Sequence, residues 1–177
     1  DVDITDSLEL SVSSSNPLLI SDSEISIDIV SGVSGVERTI TLDPIDDTSG
    51  EAIITVSIDD GQESVSKEFT ITVTAVNDVP ILTSIGAQES NEDELKNISI
   101  SATDVDNVSL VYSYTISDNI VASIDDNILS ISPIENYSGN ESITVTVSDG
   151  ELEDSETFVL TIGAVNDAPV LDDIDDE

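Results

Sequence analysis

Apolar and polar residues alternate with period two along most of this chain. Leu8-Glu-Leu-Ser-Val12 sets the pattern and Ile25-Ser-Ile-Asp-Ile29 repeats it. Arg38–Leu42, Ile53–Ile58 and Phe69–Val73 follow, then Ile81–Ile85, Ile98–Ala102, Leu110–Ile116, Ile128–Ile131, Ile143–Ser148 and Phe158–Ile162. Such alternation over about 4–8 residues predicts strands with one buried face. Asn16-Pro17, Gly32–Gly35 and Asp59-Asp60-Gly61 punctuate the runs as turns. No segment has a helical period. Short strands at this spacing, separated by turn residues, predict an all-β fold of Ig-like sandwich modules.

The pattern is also carried twice. Residues 44–80 and 133–169 align without a gap at a constant offset of 89 residues, with 17 of 37 positions identical. An ungapped match of that length means a module repeated along the chain. The expected organisation is a first β-sandwich over 1–78, a second over 79–167, and the start of a following repeat, or an exchanged strand, over 168–177. Asn77-Asp-Val-Pro80 is the linker between modules, and Pro80 stiffens it by fixing φ and extending the residue before it. Asn166-Asp-Ala-Pro169 closes the second module, and Val170–Ile174 matches Ile81–Ile85. Counterparts of residues 81–103 are missing ahead of Asp1, so the chain reads as a window from a longer array.

Composition then narrows the chemistry. Three basic residues against 39 acidic ones leave a net charge of −36. Such a charge opposes compaction unless cations compensate it. It excludes nucleic acid and anionic membrane surfaces as partners, since both need basic residues. Hydrophobic residues are still 38 % of the chain, enough to build a core. Cys and His are both absent, which removes disulfides, the commonest general base and the commonest transition-metal ligand. No apolar run is long enough to span a membrane.

The acidic residues sit at turns, and sandwich connectivity predicts which turns meet. With strands labelled A to G, the B–C and F–G turns share one end of a module. In the second module these are Asp104-Val-Asp106 and Asp149-Gly-Glu151, both expected to face the linker Asn77-Asp78. Asp46-Asp47, in a turn at the opposite end of the first module, is expected at the same junction. Asp1, Asp3 and Asp60 are the first module's counterparts of Asp104, Asp106 and Asp149. Five or six carboxylate and amide oxygens form a hard-oxygen site, whose natural occupant is calcium. Glu135, Asn166 and Asp167 are the corresponding residues at the far end of the second module, where Glu92-Asp-Glu94 reads either as a further contributor or as a solvated loop.

These residues carry a resemblance. The linker Asn-Asp-x-Pro, the following Asp-x-Asp, and an acidic residue fourteen positions before the F–G aspartate resemble the cadherin repeat. That resemblance implies calcium between successive modules. It puts Asp46 or Glu135 in place of the family's glutamate, Asn77 and Asp78 in its linker motif, and Asp104 and Asp106 in its Asp-x-Asp. Ala75 and Ala164 depart from the pattern where cadherins carry an aspartate, which removes one ligand. Closer still is the similarity to bacterial cadherin-like, immunoglobulin-like tandem repeats ending in Val-Asn-Asp-Ala-Pro, found in large surface adhesins. The expected role is a calcium-stiffened extracellular extender, bound to neighbouring repeats and to calcium, without catalysis. The alternatives are a filament subunit assembled by strand exchange and an accessory module of a secreted enzyme. Lys67, whose counterpart is Glu156, reads as an exposed cation. Asn97, Asn107, Asn136 and Asn140 stand in Asn-x-Ser sequons, which could carry sugar in an archaeal or eukaryotic protein.

Overall fold

Strand-forming runs become strands almost throughout. The structure, a computed structural model, describes residues 9–30, 37–107 and 109–169. Asp1, Asp3, the turn Gly32–Gly35 and the strand expected over Val170–Ile174 lie outside the described residues. The chain divides into two units, Asp1–Val76 and Asn77–Glu177.

Unit 1 comprises β1 (Glu9–Ser14), β2 (Ile25–Val30), β3 (Glu37–Leu42), β4 (Gly50–Asp59) and β5 (Ser64–Val73). One 3-10 turn, Asp22–Glu24, precedes β2; the Ser21 side chain caps it by accepting the Ser23 N–H. β1, β4 and β5 form an antiparallel sheet in that order, and β2 and β3 form a separate hairpin. Its core is small: Leu19, Ile20, Ala52 and Ile54, with Val12, Ile25, Leu42, Val56, Ile71 and Val73 around them.

Unit 2 is the fuller sandwich. It comprises β6 (Ile81–Leu82), β7 (Gln88–Asn91), β8 (Lys96–Ser99), β9 (Ala102–Thr103), β10 (Val111–Thr115), β11 (Ile120–Asp125), β12 (Ile128–Pro133), β13 (Gly139–Ser148) and β14 (Glu153–Gly163). One sheet has the order β10-β13-β14-β7 and the other β11-β12-β8, with β6-β9 as a short ladder. Ile98, Ile100, Leu129, Ile131, Ile143, Val145, Val147, Phe158, Leu160 and Ile162 fill the space between them. Inward residues alternate along β13 and β14, as burial of one sheet face requires.

Two expected strands are interrupted in the structure, and two strands were not foreseen. The run Ile81–Ile85 pairs only over Ile81–Leu82. Beyond it the Ile85 N–H turns away to the Glu156 carboxylate at 2.7 Å. The run Ile98–Ala102 breaks at Ile100, whose N–H is taken by the Asn127 carbonyl at 2.9 Å. Here the chain changes sheets: β8 pairs with β12, and β9 pairs with β6. β7 is polar, with no alternating apolar residues, and is held by parallel pairing to β14. β11 pairs antiparallel with β12.

The repeat extends to individual residue pairs. Gly50↔Val73 through Asp59↔Ser64 in unit 1 correspond, each shifted by 89, to Gly139↔Ile162 through Ser148↔Glu153 in unit 2. Backbone geometry repeats as well. Asp47 and Asn136 both take left-handed φ, at 57° and 59°, and so do Gly61 and Gly150, at 90° and 103°.

Candidate metal centre

The linker and two turns of unit 2 meet at one end of that unit. The first turn is Asp104–Asn107, between β9 and β10. Asp104 closes it as an Asx turn: its Oδ1 accepts the N–H groups of Asp106 at 2.8 Å and Asn107 at 2.7 Å. The second is Asp149–Leu152, between β13 and β14. Asp149 Oδ1 accepts the N–H groups of Glu151 and Leu152, both at 2.7 Å.

The linker lies across both turns. Asn77 Nδ2 donates to Asp149 Oδ2 at 2.7 Å, and the Asp78 N–H donates to Asp106 Oδ2 at 2.8 Å. Asn107 Nδ2 closes the group by donating to Asn77 Oδ1 at 3.2 Å. Asn77, Asp78, Asp104, Asp106 and Asp149 are thus brought together. Asn107 belongs to the set and was not foreseen there; its position next to the Asp-x-Asp was the available signal. Hydrogen bonds hold the Asp149 carboxyl below the usual aspartate range, first from the Leu152 N–H, then from Asn77 and the Glu151 N–H. It is therefore an anion at neutral pH.

One oxygen in this group differs from the rest. Asp104 Oδ2 is buried and has no hydrogen-bond partner. A buried carboxylate oxygen with nothing to accept from costs free energy, because it has lost water and gained no donor. Amide donors occupy several of the other oxygens. Among the described residues, no three acidic side chains are drawn together as a closed metal-binding group.

The counterparts elsewhere keep the same local design. Asp60 Oδ1 accepts the Gln62 and Glu63 N–H groups at 2.8 and 2.7 Å, the same turn as at Asp149. Those two bonds hold the Asp60 carboxyl low. Asp46 and Asp47 lie in unit 1, in the turn between β3 and β4.

At the far end of unit 2, Glu92 is buried and its Oε1 accepts the Val165 N–H at 2.6 Å, next to Asn166. Asp93 Oδ1 accepts the Asn136 N–H at 3.4 Å, which brings the turn after β7 to Glu135. Asn166 Nδ2 donates to the Asp167 carbonyl at 3.0 Å, as Asn77 does to Asp78 at 3.2 Å. Glu92, Glu135, Asn166 and Asp167 thus share one end of unit 2.

Comparison with known proteins bears on the fold. Residues 77–162 match the family model described as a bacterial Ig domain. No curated protein matches the sequence. Among solved structures, the chain is similar to N-cadherin EC1-3 of Drosophila at 15 % identity and TM-score 0.44, covering 92 % of this chain and 57 % of that one. It is similar to the tandem Ig repeats of Dlar at 14 % identity and TM-score 0.41, covering 89 % and 84 %. An endo-fucoidan hydrolase of glycoside hydrolase family 107 gives 17 % identity and TM-score 0.40, covering 92 % of this chain; the chain spans 24 % of the hydrolase. The bacterial Ig domain match thus covers unit 2, and the pairing register of its β13–β14 hairpin repeats in the β4–β5 hairpin of unit 1.

Proposed function

We propose that this chain is a calcium-binding spacer of an extracellular surface protein, such as an adhesin, and has no catalytic role. The observation that carries the reading is Asp104 Oδ2, a buried carboxylate oxygen without a donor. A cation would complete it. Asp106 and Asp149 supply further carboxylate oxygens beside it, and Asn77 and Asp78 supply amide, carbonyl and carboxylate oxygens. An all-oxygen set on flexible turns suits calcium, which accepts six to eight ligands at varied angles; magnesium demands a stricter octahedron. The ion would fasten the linker to unit 2 and offset part of the −36 charge. The absence of both Cys and His supports a non-catalytic role, because it removes the usual nucleophile–base pairs.

The test is thermal melting and small-angle scattering in calcium and in chelator. Calcium should raise the melting temperature and extend the maximum dimension, with an affinity of about 10⁻⁴–10⁻³ M. At a hundredfold excess over Kd, one ion adds about 2.7 kcal/mol. Melting and dimensions that ignore calcium would overturn the reading.

A further inference from the structure

The two larger sheets of unit 2 have four edge strands, and one of them, β10, is built unlike the others. β7 carries Glu89, β8 carries Lys96 and β11 carries Asp125. Charges on an edge are one way in which sheets avoid pairing with other chains. β11 is also closed in part, because the Tyr114 hydroxyl donates to the Ala122 carbonyl. β10, Val111-Tyr-Ser-Tyr-Thr115, pairs with β13 on one side, and among the described residues nothing pairs with its other side. No charged residue lies between Asp106 and Asp118, in a chain with 39 acidic side chains. The strand has neither Pro nor Gly, and its register with β13 runs without a bulge. Val, Thr and Tyr are residue types that favour a pleated, half-buried strand.

The strand also reads nearly the same in both directions. Ser113 stands at its centre, flanked by Tyr112 and Tyr114, with the β-branched Val111 and Thr115 outside them. Val111, Ser113 and Thr115 are exposed on the outer face, and Tyr112 and Tyr114 are half-buried against the core. Antiparallel pairing of this edge with its own copy sets Ser113 opposite its counterpart. It sets Tyr112 opposite the other copy's Tyr114, and Val111 opposite the other copy's Thr115. Aromatic and β-branched cross-strand pairs stabilise such ladders. No like charges stand opposite within it, although the acidic remainders of the two copies repel. A strand that is neutral and symmetric about its centre thus fits a second copy of itself.

We propose that the outer edge of β10 is a self-association surface, on which a second copy of this chain pairs antiparallel about a two-fold axis at Ser113. Two four-stranded sheets then become one continuous sheet. The contact is isologous and closes after two copies. Its ladder has five residues from each copy, so it belongs with small, transient interfaces of less than about 1,200 Å². Backbone hydrogen bonds and neutral side chains hold it, while the acidic remainder of each copy opposes approach. Association therefore strengthens as salt screens that repulsion. Calcium plays no part in this contact.

The test is sedimentation of the whole 177-residue chain in chelator, at low and at high salt, up to about 1 mM protein. The mass should rise toward that of a dimer, and further at high salt. Ser113→Glu sets two carboxylates opposite each other and should weaken association about tenfold or more. Ser155→Glu adds the same charge on β14, away from the edge, and should leave association unchanged. Both sites are exposed, so both variants should fold, which circular dichroism melts check. The chain has no Cys, so Ser113→Cys reads the register directly. Facing Cα atoms in an antiparallel pair are about 4.5–5.5 Å apart, within reach of a disulfide. Under mild oxidation this variant should cross-link about tenfold faster than Ser155→Cys, because pairing raises the local thiol concentration. A monomer at every concentration and salt overturns the proposal. So does association that salt weakens, or that Ser113→Glu leaves intact. Equal cross-linking of the two cysteine variants overturns it, and so does a β10 edge whose amides gain protection only from an added foreign peptide.

Discussion

Phe69 and Phe158 hold the same place in the repeat and have different surroundings. Phe69 stands opposite Ile54, and Phe158 stands opposite Ile143. Yet Phe69 is 44 % exposed and Phe158 3 %. The hairpin that carries each has the same register; the difference lies in the elements around it. Unit 2 packs Leu82 of β6 and Ile98 of β8 into the core with Phe158 and extends the sheet with β7, and the described part of unit 1 has no counterpart of these strands. Phe158→Ala should therefore cost about 3–5 kcal/mol, the range for a buried aromatic. Phe69→Ala should cost about 1 kcal/mol or less, as exposed sites do. Denaturant melts of the two variants check this, and equal losses would contradict the difference in burial.

Glu156 should give unit 2 a stability that depends on pH. The Ile85 N–H, then Ser84 and the Gly86 N–H, hold its carboxyl below the usual glutamate range. A carboxyl with a lowered folded pKa contributes fully above its unfolded value of about 4.3, and loses that contribution as pH falls through the folded value. Glu156→Gln should cost about 1 kcal/mol at neutral pH, a charge-assisted bond discounted for partial exposure. The deficit should shrink steadily below about pH 4. Melting both proteins from neutral to acid pH would show it. A deficit that grows in acid would reverse the assigned sign.

Asp104 should separate folding from calcium response. Asp104→Asn keeps a side-chain oxygen to accept the N–H groups of Asp106 and Asn107 in the turn. It removes the charge at the orphaned Oδ2. The variant should fold, and the calcium-induced rise in melting temperature should fall by more than half. Adding Asp106→Asn should abolish the rise, while Glu9→Gln, on β1 of unit 1, should leave it unchanged. A full calcium response in the double variant would remove these residues from the site.

Gly139 should be the less replaceable of two matched glycines. Gly50 and Gly139 both have positive φ, 135° and 154°, so alanine is strained at either. A Cβ at Gly50 meets nothing within 4 Å, whereas at Gly139 it comes within 3.0 Å of the Tyr137 hydroxyl. That hydroxyl donates to Glu141, whose Oε1 also accepts from Asn119 at 2.8 Å. Gly50→Ala should cost about 1–2 kcal/mol from backbone strain alone. Gly139→Ala should cost about 1 kcal/mol more, through the displaced Tyr137. Calorimetry of each variant decides; equal costs would mean that Tyr137 yields freely.

The sequence by itself determined the all-β fold, the 89-residue repeat and the turns that meet at the linker. Period-two alternation is a local property, and Asx turns such as those of Asp104 and Asp149 are written in a few adjacent residues. Their convergence follows from strand direction alone. Three features needed the tertiary structure. β7 is polar over Gln88–Asn91, and only the free edge of β14 makes it a strand. The break at Ile100 arises because the chain must serve two sheets, which no hydrophobic pattern records. The third feature is the unequal burial of Phe69 and Phe158. A side chain's identity sets how much apolar surface it offers, but only the elements folded over it decide how much of that surface leaves water.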